Sequence, residues 1–86
     1  MDIKKLIAII KKKIENEIAV DNLKIEDKSF LHKNHPGNEK NRYHLKISIE
    51  SEELKKMSKI ESNKKIYRIL NEEMKLFIHS IQILLN

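Results

Sequence analysis

Apolar residues near the start of the chain recur at Ile3, Leu6, Ile7, Ile10 and Ile14. This spacing predicts an amphipathic helix with one buried stripe. Asp2 is placed to cap it, and Lys11-Lys12-Lys13 lie in its C-terminal half, where the helix dipole favours cations. The period then changes. Leu23-Lys24-Ile25-Glu26 alternates as a half-buried strand does, and Arg42 to Glu50 alternates again, with Tyr43, Leu45, Ile47 and Ile49 on one face. Between them runs a break from about Ser29 to Asn41, which holds the chain's only Pro and only Gly, Pro36-Gly37. It is longer than a hairpin needs, and surplus loop length in a small domain often carries function.

Ser51 is placed to cap a short helical turn over Glu52, Glu53 and Leu54. A longer helix is predicted from about Ser62, with Ile66, Ile69, Leu70, Met74 and Phe77 on one stripe. Ile78 to Leu85 reads as a final strand, with Ile81, Ile83 and Leu85 alternating. A helical crossover between two strands implies that they run parallel. The expected fold is therefore a single α+β domain over residues 1–86, with helices packed on one face of a three-stranded mixed sheet. Neither internal repeats nor linkers break the pattern.

Composition narrows the chemistry. An 86-residue chain buries only roughly 60% of its unfolded surface, so a deep catalytic cleft is not expected. There is no Cys, hence no disulfide, no thiolate nucleophile and no thiolate-built metal site from this chain alone. The apolar run Leu6 to Ile10 is too short for a signal-peptide core or a membrane span, and a cytoplasmic location is expected. The net charge of +5 permits a nucleic-acid partner, yet the only arginines are Arg42 and Arg68, and lysine makes poorer bidentate contacts with bases and phosphates. With one glycine and no visible nucleophile–base pair, an enzyme is not expected.

Histidine remains the informative residue type. His32 and His35 form an H-x-x-H in the loop, His44 lies on the polar side of the second strand, and His79 opens the last one. Solvated loop histidines would account for the first two, since a self-contained zinc site needs three or four converging ligands. His44 is expected to pack or hydrogen-bond on the sheet surface. His79 shares parity with Ile81 and Ile83, which puts it at the edge of the core; its place at a helix-to-strand junction could instead turn it outward. Periodicity does not fix the strand order, so it leaves open whether His79 meets His32.

Asp27-Lys28-Ser29-Phe30-Leu31-His32, the His/Pro/Gly loop and Tyr43-His44-Leu45-Lys46-Ile47 together resemble the BolA family. The likeness continues through Ile66-Tyr67-Arg68-Ile69-Leu70-Asn71-Glu72-Glu73 and ends at Ile78-His79-Ser80-Ile81. The resemblance implies an αββαβ fold of the class II KH-like type. It also implies a non-enzymatic role in iron–sulfur trafficking or iron sensing, in which a monothiol glutaredoxin and glutathione share a bridging [2Fe–2S] cluster with the chain. The ligands implied are His32 and His79, with His35 a substitute for His32. Whether the chain forms a homodimer without that partner is left open. The alternative is a DNA-binding transcriptional regulator of the BolA type. Against that alternative, the family's R-H-R before the long helix reads Ser62-Asn63-Lys64 here, followed by Lys65, so Lys64 and Lys65 are the cations left for phosphate contact.

Overall fold

The computed structural model describes residues 2–29 and 42–86. Seven elements follow in order: α1 (Ile3–Glu17), β1 (Asn22–Asp27), β2 (Tyr43–Glu50), α2 (Glu52–Lys55), α3 (Lys59–Ile69), α4 (Asn71–Leu76) and β3 (Ile78–Leu85). The sheet has the order β1-β2-β3, with β1 antiparallel and β3 parallel to the central β2. The mixed α+β architecture is the one expected from the sequence, and it answers the question periodicity left open: β3 lies beside β2, away from β1.

Alternation on β2 divides the sheet into two faces. Leu45, Ile47 and Ile49 are buried, and they share a core with Leu6, Ile10 and Ile14 of α1 and Ile66 of α3. Leu23 and Ile25 of β1 and Ile81 and Ile83 of β3 pack against that core. The other face carries the His44, Lys46 and Ser48 side chains, flanked by Lys24 and Glu26 on β1 and by Ser80 and Gln82 on β3. One side of the sheet thus holds the hydrophobic layer, and the other carries polar side chains.

Caps set most of the boundaries. The Asp2 side chain accepts from the Lys4 N–H, and Ser51 accepts from the Leu54 N–H, both as expected. The α1 helix continues through Glu15, Asn16 and Glu17, so Lys11–Lys13 end a full turn before its C-terminus, and Lys13 turns to Glu73 of α4 at 2.7 Å instead. The long helix starts at Lys59, three residues before the expected Ser62. Ser58 accepts from the Glu61 N–H, and Ser58-Lys59-Ile60-Glu61 has the spacing of a capping box. Ser62 lies inside the helix, buried, where its hydroxyl donates to the Leu54 carbonyl. The earlier start also moves Lys64 and Lys65 out of the first turn.

The expected single helix up to Phe77 is divided at Leu70, whose ψ of 19° turns the axis between α3 and α4. Leu70 N–H still bonds the Ile66 carbonyl and Met74 N–H the Leu70 carbonyl, so the apolar stripe runs through the bend undisturbed. Periodicity alone could not register it. In the bent arrangement Glu73 is buried and meets Lys13.

Candidate functional site

The site lies where β2 begins and β3 begins. Going from Tyr43 to His44 advances β2 by one residue, while the matching positions on β3, Ile78 and Ser80, are two apart. His79 is the extra residue of a β-bulge. Its effect is a change of face. Ile78 is buried, His79 and Ser80 are exposed, and Ile81 resumes the packed side. The parity argument that put His79 with Ile81 and Ile83 fails here because the inserted residue shifts the alternation. His79 is turned outward at the helix-to-strand junction.

His79 is not isolated. Its ring lies 4.8 Å, centroid to centroid, from the ring of His44, tilted by 52°. His44 is buried, and its Nδ1 shares a 2.6 Å hydrogen bond with the Ser80 hydroxyl. The expected packing and hydrogen bonding of His44 on the sheet surface is what the structure has, and its contact with His79 goes beyond that expectation. The backbone of His44 ties in the start of the long loop: its N–H donates to the Ser29 hydroxyl at 3.0 Å, and its carbonyl accepts from the Lys28 N–H at 2.7 Å. Asp27 steadies the same turn by accepting from the Ser29 N–H. At the other end of the loop, the Arg42 guanidinium donates to the Lys75 carbonyl, and Tyr43 N–H donates to the Phe77 carbonyl.

His32 and His35 lie outside the described residues. Among the described residues, no group of three or more His, Asp or Glu side chains converges as a metal site. The described part of the chain therefore offers one exposed imidazole, His79, supported by a buried one.

The surroundings are cationic but partly neutralised. Lys28, His44, Lys46, Ser80 and Gln82 help line a depression of about 320 Å³. On β1, Glu26 sits between Lys24 at 2.8 Å and Lys28 at 3.1 Å. Hydrogen bonds from these two ammonium groups lower its pKa to about 2, so Glu26 keeps its charge well into acid. Of the two cations considered for phosphate contact, Lys65 is bound to Glu53. Lys64 is exposed and lies in a separate hollow with Met57, Glu61 and Arg68.

Sequence comparisons agree with this architecture. A family model described as BolA-like protein matches residues 14–86. The DNA-binding transcriptional regulator BolA of Haemophilus influenzae is 37% identical over 73 residues, covering 85% of this chain and 68% of the relative. Among solved structures, the BolA domain of SufE1 from Arabidopsis thaliana superposes with a TM-score of 0.77 at 26% identity, over 92% of this chain and 87% of that one. BolA1 from the same plant shares the fold with a TM-score of 0.76 at 24% identity and the same coverage. With the family match, the relative's identity and the shared sheet topology in agreement, the chain belongs to the BolA family.

Proposed function

We propose that this chain acts in iron–sulfur trafficking or iron sensing by pairing with a monothiol glutaredoxin and co-ligating a bridging [2Fe–2S] cluster through His79 and a loop histidine, His32 or His35. The observation that carries the reading is the bulge, which turns His79 out of the core and leaves its imidazole exposed beside the root of the loop. The donor set fits the group: a chain without Cys supplies no thiolate but can offer neutral imidazoles to iron, and the partner's cysteine and glutathione would complete the shell with sulfur. Such a cluster, when bound, would be a redox centre and a transferable unit of iron and sulfide. The chain's part is to hold the His79 ring in place through the His44 contact.

The test is reconstitution with a monothiol glutaredoxin, glutathione, ferrous iron and sulfide. His79→Ala is expected to abolish the mixed His/thiolate visible spectrum while leaving the fold and its thermal midpoint nearly unchanged, since His79 is exposed. A variant with the parent spectrum and cluster lifetime would remove His79 from the ligand set.

The relative from Haemophilus influenzae is described as a DNA-binding transcriptional regulator, which favours DNA binding as a second reading. Lys64 would contact phosphate, and Lys65 would have to leave Glu53 to do so. A DNA titration at several salt concentrations tests it. A regulator would show sequence preference that persists as salt rises, and Lys64→Ala would reduce the salt slope by about one. A shallow slope without preference would leave only non-specific charge attraction.

A further inference from the structure

The solvent-facing side of α1 has a charge pattern of its own. Leu6, Ile10 and Ile14 occupy the buried stripe, which turns Lys4, Lys5, Ala8, Lys11 and Lys12 outward, all of them exposed. Seven residues make close to two helical turns, so Lys4 stands in line with Lys11 and Lys5 with Lys12, about 10 Å apart within each row. Ala8 lies between the rows. Among the described residues these four lysines form no ion pair, whereas Lys13, Lys24, Lys28, Lys55 and Lys65 all do. Glu15 follows on the same side a turn beyond Lys11, and the Asp2 carboxylate is taken up by the N-cap. Ile7 and Ile9 flank the rows; both are half-buried, and neither is packed into the core. The four lysines precede residues 14–86, the part that matches the family, so the face is read from this chain and not carried over.

We infer that this face docks the domain on a membrane surface of anionic lipid, with α1 lying along the headgroups. Charge complementarity names the occupant: four lysines on one face of an amphipathic helix reach the density at which basic clusters hold anionic lipid. Lysine is a compact, hydrated point charge, suited to a diffuse surface potential. Reading of bases or of paired phosphate oxygens draws on arginine, which α1 lacks. Ile7, Ile9 and the lysine stems add apolar surface at headgroup depth, for which a nucleic-acid backbone has no counterpart. The apolar stripe of α1 is committed to the core, and among the described residues no helix is long and apolar enough to cross a membrane. The domain therefore rests on the headgroups and does not enter the hydrocarbon. The polar face of the sheet lies on the far side of the core from α1, so docking leaves Lys46, Ser48 and Gln82 turned to water.

Flotation of the intact chain with vesicles tests this, one set of phosphatidylcholine alone and the other of phosphatidylcholine and phosphatidylglycerol in equal parts. Wild type is expected to float with the anionic set only. Added salt should release it, as the screening length falls from about 10 Å at 0.1 M to about 3 Å at 1 M. Each lysine close to an anionic surface strengthens binding roughly fivefold, so changing Lys4, Lys5, Lys11 and Lys12 to Gln should weaken it at least about a hundredfold. Lys4→Gln with Lys5→Gln, or Lys11→Gln with Lys12→Gln, should each cost roughly thirtyfold. Lys55, Lys56, Lys59 and Lys75 are exposed and lie away from α1; changing these to Gln removes the same charge and should cost less than about fivefold. Gln and Lys have similar helix propensity, so the fold should persist in every variant, which circular dichroism verifies. A nitroxide-labelled headgroup should broaden the Lys4 and Lys11 amide signals and spare that of Ser48 on the polar face. A wild type that ignores anionic vesicles at low salt overturns the inference. Equal losses in the two fourfold variants also overturn it, because net charge alone would then explain the binding. Duplex DNA of mixed sequence is titrated alongside: binding to it through these lysines, without binding to vesicles, assigns the face to nucleic acid and overturns the membrane reading.

Discussion

Ile47→Ala is expected to destabilise the domain by about 3 kcal/mol, within the range of about 2–5 kcal/mol for removing a large buried aliphatic side chain. Ile47 is fully buried on the central strand, paired with Ile25 on one side and Ile83 on the other, under the helical layer. Truncation there removes apolar contact from all three strands and α1 together, and a packed core does not close over the gap. A domain of this size has a total stability of about 4–13 kcal/mol, so the loss is a large share. Urea unfolding checks it: the midpoint should fall steeply with little change in slope. Ile47→Val should cost about 1 kcal/mol. Ile60→Ala, at a position 68% exposed, should fall within about 0.5 kcal/mol of wild type. Equal costs for Ile47→Ala and Ile60→Ala would contradict the assignment of the core.

The second large effect is expected at Lys13. Its ammonium donates to Oε2 of Glu73 at 2.7 Å and lies 3.8 Å from Glu72. The Glu73 side chain is only 7% exposed, and its Oε1 is buried without a hydrogen-bond partner among the described residues. Lys13→Met leaves that carboxylate buried and unpaired. Breaking a fully buried pair costs about 3–5 kcal/mol, but the Lys13 side chain is 36% exposed and water can reach its place, so about 1–3 kcal/mol is expected. The double variant Lys13→Met, Glu73→Met should be close to wild type or more stable, because both desolvation costs vanish. The pH response separates this pair from simple packing. The Glu73 hydrogen bond is the main cause of a raised Lys13 pKa. Its contribution is therefore fully present below the ordinary lysine value and is lost as pH rises through the folded value. Wild type should lose stability in that alkaline range, and Lys13→Met should lack that part of the loss. A cycle of the two single variants and the double, measured by denaturation at neutral and alkaline pH, gives the coupling directly.

The order of elements was legible because the dominant forces are written in periodicity. Leu6, Ile10 and Ile14 mark the buried stripe of α1, and Leu45, Ile47 and Ile49 mark the buried face of β2. The misplaced start of α3 has a local sign in Ser58 and Glu61, whose cap outweighs the later start at Ser62. The turn at Leu70 has no such sign, since the apolar spacing is the same on both sides of it. At the site, the bulge is legible only in retrospect: Ile78 and Ile81 are three apart, whereas Ile81, Ile83 and Leu85 are two apart, and the extra residue between the first pair is His79. The contact between His44 and His79 could not be read from spacing, because it depends on β3 lying next to β2. The positions of His32 and His35 lie outside the described residues, so the loop's share of the proposed ligand set still rests on the resemblance.

The inserted residue at position 79 has a consequence for how such a domain can change. A histidine within the regular ladder would be bound to the alternation, and any new side chain there would be judged by its fit to the hydrophobic layer. Placed in the bulge, position 79 is relieved of that judgement, because Ile78 and Ile81 fill the layer on either side. Side-chain identity at position 79 is thus a variable almost independent of folding. Cysteine, aspartate or another residue could be exchanged there to retune the surface chemistry, with the scaffold beneath left as it is.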